Sequence, residues 1–158
     1  MRKSFLYLPI LFAFMLVVIS CGKTVAPEPT ATENLTKSWS VSVAKEGGTQ
    51  VYQKGATTNT APGYSGYRLS LAAASAATLT AVDGTTFTGT WALSSDNRTL
   101  TLTNLKNSAG ATPTGSNPAG TIVYNITSAI TATTVTLETA STDSKAGGKI
   151  VNLQLVNP

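Results

Sequence analysis

Histidine is absent from this chain of 158 residues, and Cys21 is its only cysteine. Histidine is the side chain that enzymes use most often for general acid–base catalysis, and it is the commonest ligand of transition metals. A single cysteine also excludes a disulfide bond within the chain. We therefore expect a protein that is not an enzyme and that has no metal site.

Charged residues are scarce, at 11% of the sequence, and the formal net charge is +4. Apart from Arg2 and Lys3 near the N-terminus, the lysine and arginine residues are scattered and form no run or stripe, so we expect no nucleic-acid partner. Six of the seven acidic residues fall in the N-terminal linker or in predicted turns: Glu28, Glu33, Glu46, Asp83, Asp96 and Asp143. Glycosidases need two facing carboxyl groups about 5–10 Å apart, and only Glu138 lies within a predicted strand. The pattern indicates no catalytic residues.

The N-terminus has the layout of a secretory signal. Arg2 and Lys3 form a short positive region, residues 5–19 are uninterrupted apolar residues, and the small residue Ser20 precedes Cys21. The apolar run is shorter than the roughly 20 residues that a membrane-spanning helix needs. We predict that residues 1–20 are a signal peptide that is cleaved from the mature protein.

The last four residues of this region, Val18-Ile19-Ser20-Cys21, resemble the lipobox of bacterial lipoproteins. The resemblance implies that Cys21 carries a thioether-linked diacylglycerol and that its new amino group is acylated. One acyl chain binds a membrane only marginally, whereas several chains anchor stably. These acyl chains are the only covalent group expected, and the membrane is the expected partner. In lipoproteins, Gly22 in place of aspartate indicates the outer membrane, so we expect a protein of the bacterial cell envelope.

Residues 21–34 are predicted to form a flexible linker that carries the lipid. The segment is polar, contains Pro27 and Pro29, and has no hydrophobic periodicity. Strand patterns begin just beyond it, so residues 35–158 are predicted to form one domain.

Alternation of apolar and polar residues dominates this domain and predicts short β-strands. In residues 38–43, Trp39, Val41 and Val43 share one predicted face, and serines occupy the other. Asp83-Gly84 is the strongest hairpin signal and predicts a type I′ turn. About eight or nine such strands, joined mostly by short turns, predict an all-β fold. We expect a small antiparallel up-and-down barrel of about eight strands, with a sandwich as the alternative.

Several segments together resemble the lipocalin-like domains of small bacterial lipoproteins: Leu35, Trp39-Ser40-Val41, Tyr67-Arg68-Leu69, residues 89–93, residues 99–103 and residues 130–138. The resemblance implies a small antiparallel barrel and no established biochemical activity. Three features differ from the better-known lipocalins, and one of them is that no arginine follows in the final strand to cover the tryptophan. Ser38 replaces the glycine that lies before Trp39, and Ser144 follows Thr142-Asp143 where those proteins have tyrosine.

Five aromatic residues are predicted to face the barrel interior: Trp39, Tyr67, Phe87, Trp91 and Tyr124. They are our candidate ligand-binding residues, because a barrel of roughly eight strands is just wide enough for one small ligand. The alternative is that their rings simply fill the core, and Trp39 in particular is expected to plug the barrel floor. Tyr52 and Tyr64 lie in or beside loops and are candidates for the rim of an opening or for stacking on a sugar ring.

The sequence is compatible with two functions. The first is a lipid-anchored envelope protein that binds a small apolar ligand inside its barrel. The second is a non-catalytic structural or interaction module that contacts an envelope protein or a glycan through its surface and loops. An internal apolar cavity of roughly 300 Å³ or more would favour the first function.

Overall fold

The computed structural model describes residues 27–158. The predicted signal peptide, the lipidation of Cys21 and the first part of the linker lie outside these residues. In the described part, one short helix, α1 (Ala31–Leu35), precedes nine strands and three short 3-10 helices. The strands are β1 (Ser38–Glu46), β2 (Thr49–Gln53), β3 (Arg68–Leu71), β4 (Ala76–Thr80), β5 (Thr86–Leu93), β6 (Thr99–Lys106), β7 (Ile122–Ile126), β8 (Thr134–Thr139) and β9 (Val151–Val156). Within residues 27–158, no helix is both long and apolar enough to cross a bilayer.

Eight of the strands form a closed antiparallel ring. From β3 to β9 each strand pairs with the next, and β1 pairs with both β3 and β9. β2 stands outside the ring and pairs with the later half of β1, beyond the stretch that pairs with β3. The prediction of an all-β, up-and-down barrel of about eight strands is therefore confirmed, and the sandwich alternative is excluded by the β1–β9 pairing.

A β-bulge in β1 changes which side chains point inward. Val41 pairs with Leu155 and Val43 with Gln154, so two positions of β1 advance against one position of β9. A bulge of this kind shifts the alternation by one residue. The next buried residue after Val41 is Ala44, whereas Val43 is only partly buried. The prediction that Val43 shares the inner face of Trp39 and Val41 is wrong for this reason.

A second bulge, in β6, explains the glycine in the middle of β5. Asn104 adopts a positive φ of 56°, and the β5–β6 register shifts beside it. A Cβ atom on Gly89 would lie 2.4 Å from the carbonyl oxygen of Thr103. The bulge lets Leu105 point inward, where it is fully buried, at the cost of requiring glycine opposite it.

The β4–β5 hairpin forms where Asp83-Gly84 predicted it, but its turn differs from the predicted type. The amide of Gly84 donates to the carbonyl of Ala81, and the amide of Ala81 donates to that of Thr85, both at 2.9 Å. Gly84 has a positive φ of 81°, whereas Asp83 does not have a positive φ. This is a type I turn with a glycine bulge, in which Asp83 Oδ1 accepts the Thr85 amide at 3.0 Å.

Helix α1 closes one end of the barrel, which we call the tryptophan end. Thr30 and Glu33 form a capping box at its start, and Leu35 at its last position is fully buried. The indole N–H of Trp39 donates to the carbonyl of Leu35 at 3.0 Å. This contact confirms that Leu35 lies beside Trp39 and that Trp39 plugs the barrel floor. The helix begins at Ala31, inside the segment predicted as a linker.

Candidate functional site

All five candidate aromatic residues are buried, each at most 6% exposed, but they divide between the two ends of the barrel. Trp39 and Trp91 lie at the tryptophan end. The indole N–H of Trp91 donates to the carbonyl of Ala72 at 3.0 Å, much as Trp39 donates to Leu35. Both tryptophans therefore have their single polar group satisfied by the backbone, and neither lines the cavity described next.

The other three, Tyr67, Phe87 and Tyr124, line a cavity at the opposite end, which we call the tyrosine end. Its volume is about 60 Å³. Since one water molecule needs about 10–15 Å³ of cavity volume, the cavity has room for a few water molecules. It is well below the roughly 300 Å³ typical of a small-molecule pocket. Much of its wall is apolar: Leu79, Val82, Phe87, Ile122, Val151 and Leu153.

Hydroxyl groups line the cavity beside the two charged residues Asp143 and Lys145. The hydroxyls of Tyr67 and Tyr124 lie 3.1 Å apart and share a hydrogen bond, and both side chains are buried. Thr139 also lines the cavity, and its Oγ1 accepts the amide proton of Val151 at 3.0 Å. β8 brings Thr139 beside Tyr124, because the two residues are paired in the β7–β8 register.

Tyr64 completes the wall, and its position corrects the sugar-stacking interpretation. The 3-10 helix Pro62–Gly66 places Tyr64 against Tyr52, with ring centroids 6.2 Å apart and planes inclined by 41°. These tyrosines are 5% and 6% exposed, so they offer no free aromatic surface to a sugar. The Tyr64 hydroxyl donates to Glu46 Oε1 at 3.0 Å, which satisfies the polar end of the ring.

The tyrosine hydroxyls at this end are held in their neutral form. Burial is the main cause that raises the pKa of Tyr67 and Tyr64 well above the usual value of 10. Burial also raises the pKa of Tyr124, to about 12, although its hydrogen bond with Tyr67 opposes the shift. The negative charge of Asp143 raises the pKa of all three residues. At neutral pH the three hydroxyls are therefore protonated and can donate hydrogen bonds.

A short segment, residues 143–149, covers the tyrosine end, and we call it the cap. Asp143 and Lys149 form an isolated β-bridge at its base, and the 3-10 helix Ser144–Ala146 lies between them. Asp143 Oδ1 accepts the backbone amide of Lys145 at 2.8 Å. Ala146 is buried and forms part of the cavity wall. The cap therefore contributes one small apolar side chain to the cavity wall.

A salt bridge fastens the cap to the β4–β5 hairpin. Lys145 Nζ lies 2.6 Å from Asp83 Oδ2 and 5.8 Å from the centre of the Phe87 ring. The hydrogen bond from Lys145 is the main cause that lowers the pKa of Asp83 to about 2, with the Thr85 amide adding to it. The Asp83 side chain is 48% exposed, so solvent screens this pair.

A shallow groove adjoins the cavity on the side of the loop before β7. Its volume is about 50 Å³, and it shares Thr114, Ile122, Tyr124, Thr139 and Asp143 with the cavity wall. Hydroxyl side chains dominate its remaining lining: Ser116, Thr121, Ser141 and Thr142. Tyr124 and Thr139 therefore stand at the boundary between an apolar cavity and a polar groove.

The sequence patterns did not identify Thr139, Asp143 or Lys145 as site residues. Lys145 and its partner Asp83 are 62 positions apart, and no local pattern links them. Thr142-Asp143, noted for its likeness to a lipocalin signature, was the one available signal at the cap. Among residues 27–158, no group of three or more carboxylate, histidine or cysteine side chains is arranged to hold a metal ion.

Comparison with known proteins supports the fold and goes no further. No family model matches the chain, and no curated protein matches it. A solved structure of a lipocalin-like protein from Bacteroides uniformis aligns with 79% of this chain and 99% of its own, at a TM-score of 0.50 and 14% identity. The chain therefore has a lipocalin-like fold.

Proposed function

We propose that the protein is a lipid-anchored binding protein of the bacterial cell envelope that holds a small molecule at the tyrosine end of its barrel. The observation that carries this proposal is the cavity at the tyrosine end of the barrel. It has a volume of about 60 Å³, an apolar wall and hydroxyl groups among its lining residues. Pockets that bind small molecules combine these two features.

The size of the cavity sets a condition on binding. We expect a ligand larger than a few water molecules to displace the cap outward. An exposed salt bridge such as Lys145–Asp83 stabilises by only about 0–1 kcal/mol, so it opposes this movement weakly. Gly147 and Gly148, with φ angles of 65° and 75°, follow the covering residue Ala146 and supply a backbone that tolerates such a change.

A thermal-unfolding screen tests the proposal. The full chain, reconstituted into lipid nanodiscs, is heated with each member of a library of small apolar compounds, and tryptophan fluorescence reports unfolding. A ligand at 100 times its Kd stabilises by about 2.7 kcal/mol, which raises the Tm measurably. Empty nanodiscs control for partitioning of the compounds into lipid. The absence of a shift across the library would refute ligand binding.

A cavity-filling variant supplies the matched control. Ala146→Leu places a larger side chain at the cavity wall, whereas Ala92→Leu makes the same change on the exposed face of β5. We expect the first variant to lose the ligand-induced shift and the second to keep it. Equal shifts in both variants would locate the binding elsewhere.

The lipid anchor is tested separately. Cys21→Ser removes the thiol that the acyl chains require, so the protein should either leave the membrane fraction or accumulate as an uncleaved precursor. A Cys21→Ser protein that is processed and still membrane-bound would disprove the anchor.

The small cavity itself favours a second candidate function, a non-catalytic module that contacts an envelope protein or a glycan. Its contact surface would be the threonine-rich outside of the barrel, where Thr90 and Thr103 hydroxyls lie 2.9 Å apart across β5 and β6, and Thr80 and Thr86 hydroxyls lie 3.3 Å apart. A failed compound screen together with retention of an envelope component by the barrel would favour this function.

A further inference from the structure

The tyrosine end holds more hydroxyl protons than acceptors. Tyr67 and Tyr124 share one hydrogen bond, in which either oxygen can be the donor, so only one of their two protons is used. Thr139 Oγ1 accepts the Val151 amide and donates to no acceptor among residues 27–158. Each of these three side chains is less than 9% exposed and lines the cavity. Two buried O–H donors are therefore available to a molecule that enters.

The charges around the cavity are unfavourable to an anion. Asp143 and Lys145 are the charged residues in its wall, and the Lys145 ammonium is already paired with Asp83. Glu46 adds a second carboxylate at the Tyr64 hydroxyl. Lys149, at the far end of the cap, is exposed, does not line the cavity, and has its aliphatic carbons close to Gly47. A carboxylate or phosphate in the cavity would therefore meet the negative charge of Asp143, and Lys145 would have to be shared with Asp83 to balance it.

From these two observations we infer that the ligand is an uncharged molecule whose apolar body ends in a hydrogen-bond acceptor oxygen, such as a ketone or ester carbonyl. This inference rests on the proposed function and names its ligand class. The carbonyl oxygen has two lone pairs, which match the two available protons, one from the Tyr67–Tyr124 pair and one from Thr139. Leaving those protons unmatched in a buried site is costly, so an acceptor is selected over a plain hydrocarbon.

The position of the donors also orients the ligand. Tyr124 and Thr139 line both the cavity and the groove, so the carbonyl group lies at the boundary between them. The apolar body then lies against Leu79, Phe87 and Leu153 inside the cavity. Any further polar group on the ligand extends towards the hydroxyl-lined groove.

Three probes that share a six-membered ring test the inference: cyclohexanone, methylcyclohexane and cyclohexanecarboxylate. Each is titrated against the full chain in nanodiscs, with ligand-observed saturation-transfer NMR as the readout and empty nanodiscs as the blank. We expect cyclohexanone to bind about ten-fold more tightly than methylcyclohexane, because it makes two more hydrogen bonds. We expect the carboxylate to bind most weakly of the three. Equal binding of ketone and hydrocarbon, or preference for the carboxylate, would overturn the inference while leaving the proposed function standing. If no probe binds and the apolar library also fails, both are overturned.

Variants of the tyrosine pair give a result that a purely structural role does not predict. In Tyr67→Phe or Tyr124→Phe, the remaining hydroxyl loses its partner and keeps its proton for the ligand, so the preference for ketone over hydrocarbon should persist. The double variant removes both protons and should reduce that preference to about three-fold or less, the contribution of Thr139 alone. Tyr52→Phe is the control, since Tyr52 is buried but does not line the cavity. A preference that is unchanged in the double variant would overturn the assignment of the donors.

A separate variant tests whether the charge of Asp143 excludes anions. Asp143→Asn removes the negative charge and keeps an oxygen that can accept the Lys145 amide. We expect cyclohexanecarboxylate to bind several-fold more tightly to this variant and cyclohexanone to bind unchanged. Unchanged binding of the carboxylate would show that Asp143 does not exclude anions.

Discussion

The two ends of the barrel are both closed by buried aromatic side chains, yet they differ in how those side chains use their polar groups. At the tryptophan end, each indole has a single N–H and gives it to a backbone carbonyl, from Trp39 to Leu35 and from Trp91 to Ala72. At the tyrosine end, the hydroxyls of Tyr67 and Tyr124 share one hydrogen bond, which uses only one of their two protons. An indole is a donor only, so one bond satisfies it, whereas a hydroxyl both donates and accepts. The indoles at the tryptophan end therefore have no unused hydrogen-bonding group, whereas the tyrosine end retains a hydroxyl proton that a ligand could accept.

The elements that cover the two ends, helix α1 and the cap, also differ in how firmly they are held. Helix α1 places the fully buried Leu35 against Trp39. The cap at the other end contributes one buried alanine and an exposed salt bridge. Apolar burial stabilises by about 25 cal/mol per Å², while an exposed ion pair adds little. We expect the tryptophan end to be the more stable part of the fold.

Removing the Trp39 side chain is the strongest test of whether the tryptophan end is the more stable one. Trp39→Ala should lower the free energy of unfolding by about 3–5 kcal/mol, because it leaves a large cavity in a packed region and frees the Leu35 carbonyl. Denaturant unfolding measures the loss. A loss below about 1 kcal/mol would mean that the tryptophan end is not a packed plug.

Alkaline titration should affect the tyrosine end next most strongly. Because the folded pKa values of Tyr64, Tyr67 and Tyr124 are raised above the unfolded value of 10, these groups stabilise the fold fully below pH 10. That stabilisation is lost as the pH rises from 10 through about 12, the folded pKa of Tyr124. We expect the Tm to fall over this range and tyrosinate absorbance to rise with unfolding. Ordinary titration of these tyrosines near pH 10 in the folded protein would contradict the prediction.

Removing one hydroxyl of the pair should have a smaller effect. Tyr67→Phe and Tyr124→Phe should each lower the free energy of unfolding by about 1 kcal/mol, since one neutral hydrogen bond is lost and the rings stay in place. Chemical denaturation of both variants beside Tyr52→Phe measures the difference. A loss as large as that of Trp39→Ala would erase the distinction between the two ends.

The smallest effect is expected at the salt bridge of the cap. The pKa of Asp83 is lowered from 3.8 to about 2, so its stabilisation is present above pH 3.8 and is lost as the pH falls through about 2. The Tm of the native protein should fall slightly more than that of Asp83→Asn between pH 4 and pH 2, and added salt should reduce the difference. Parallel pH profiles for the two proteins would show that the bridge does not stabilise the cap.

Sequence patterns predicted the barrel well because alternation is a local property. In β5, Phe87 and Trp91 are separated by even steps and both are buried, as the two-residue period requires. The same reasoning failed at Val43, because the bulge there depends on the register between β1 and β9, which lie more than a hundred residues apart. The candidate aromatic residues could be chosen by pattern, but their division between a plug and a cavity wall could not.

By itself, the sequence determined that these segments are strands, that aromatic rings lie inside them, and that Asp83-Gly84 turns the chain. It determined these features because each depends on residues a few positions apart. Only the tertiary structure decided which rings leave a space, that Lys145 meets Asp83, and that Thr139 joins the tyrosine pair. Those outcomes depend on how side-chain volumes and polar groups from distant strands meet when the ring closes.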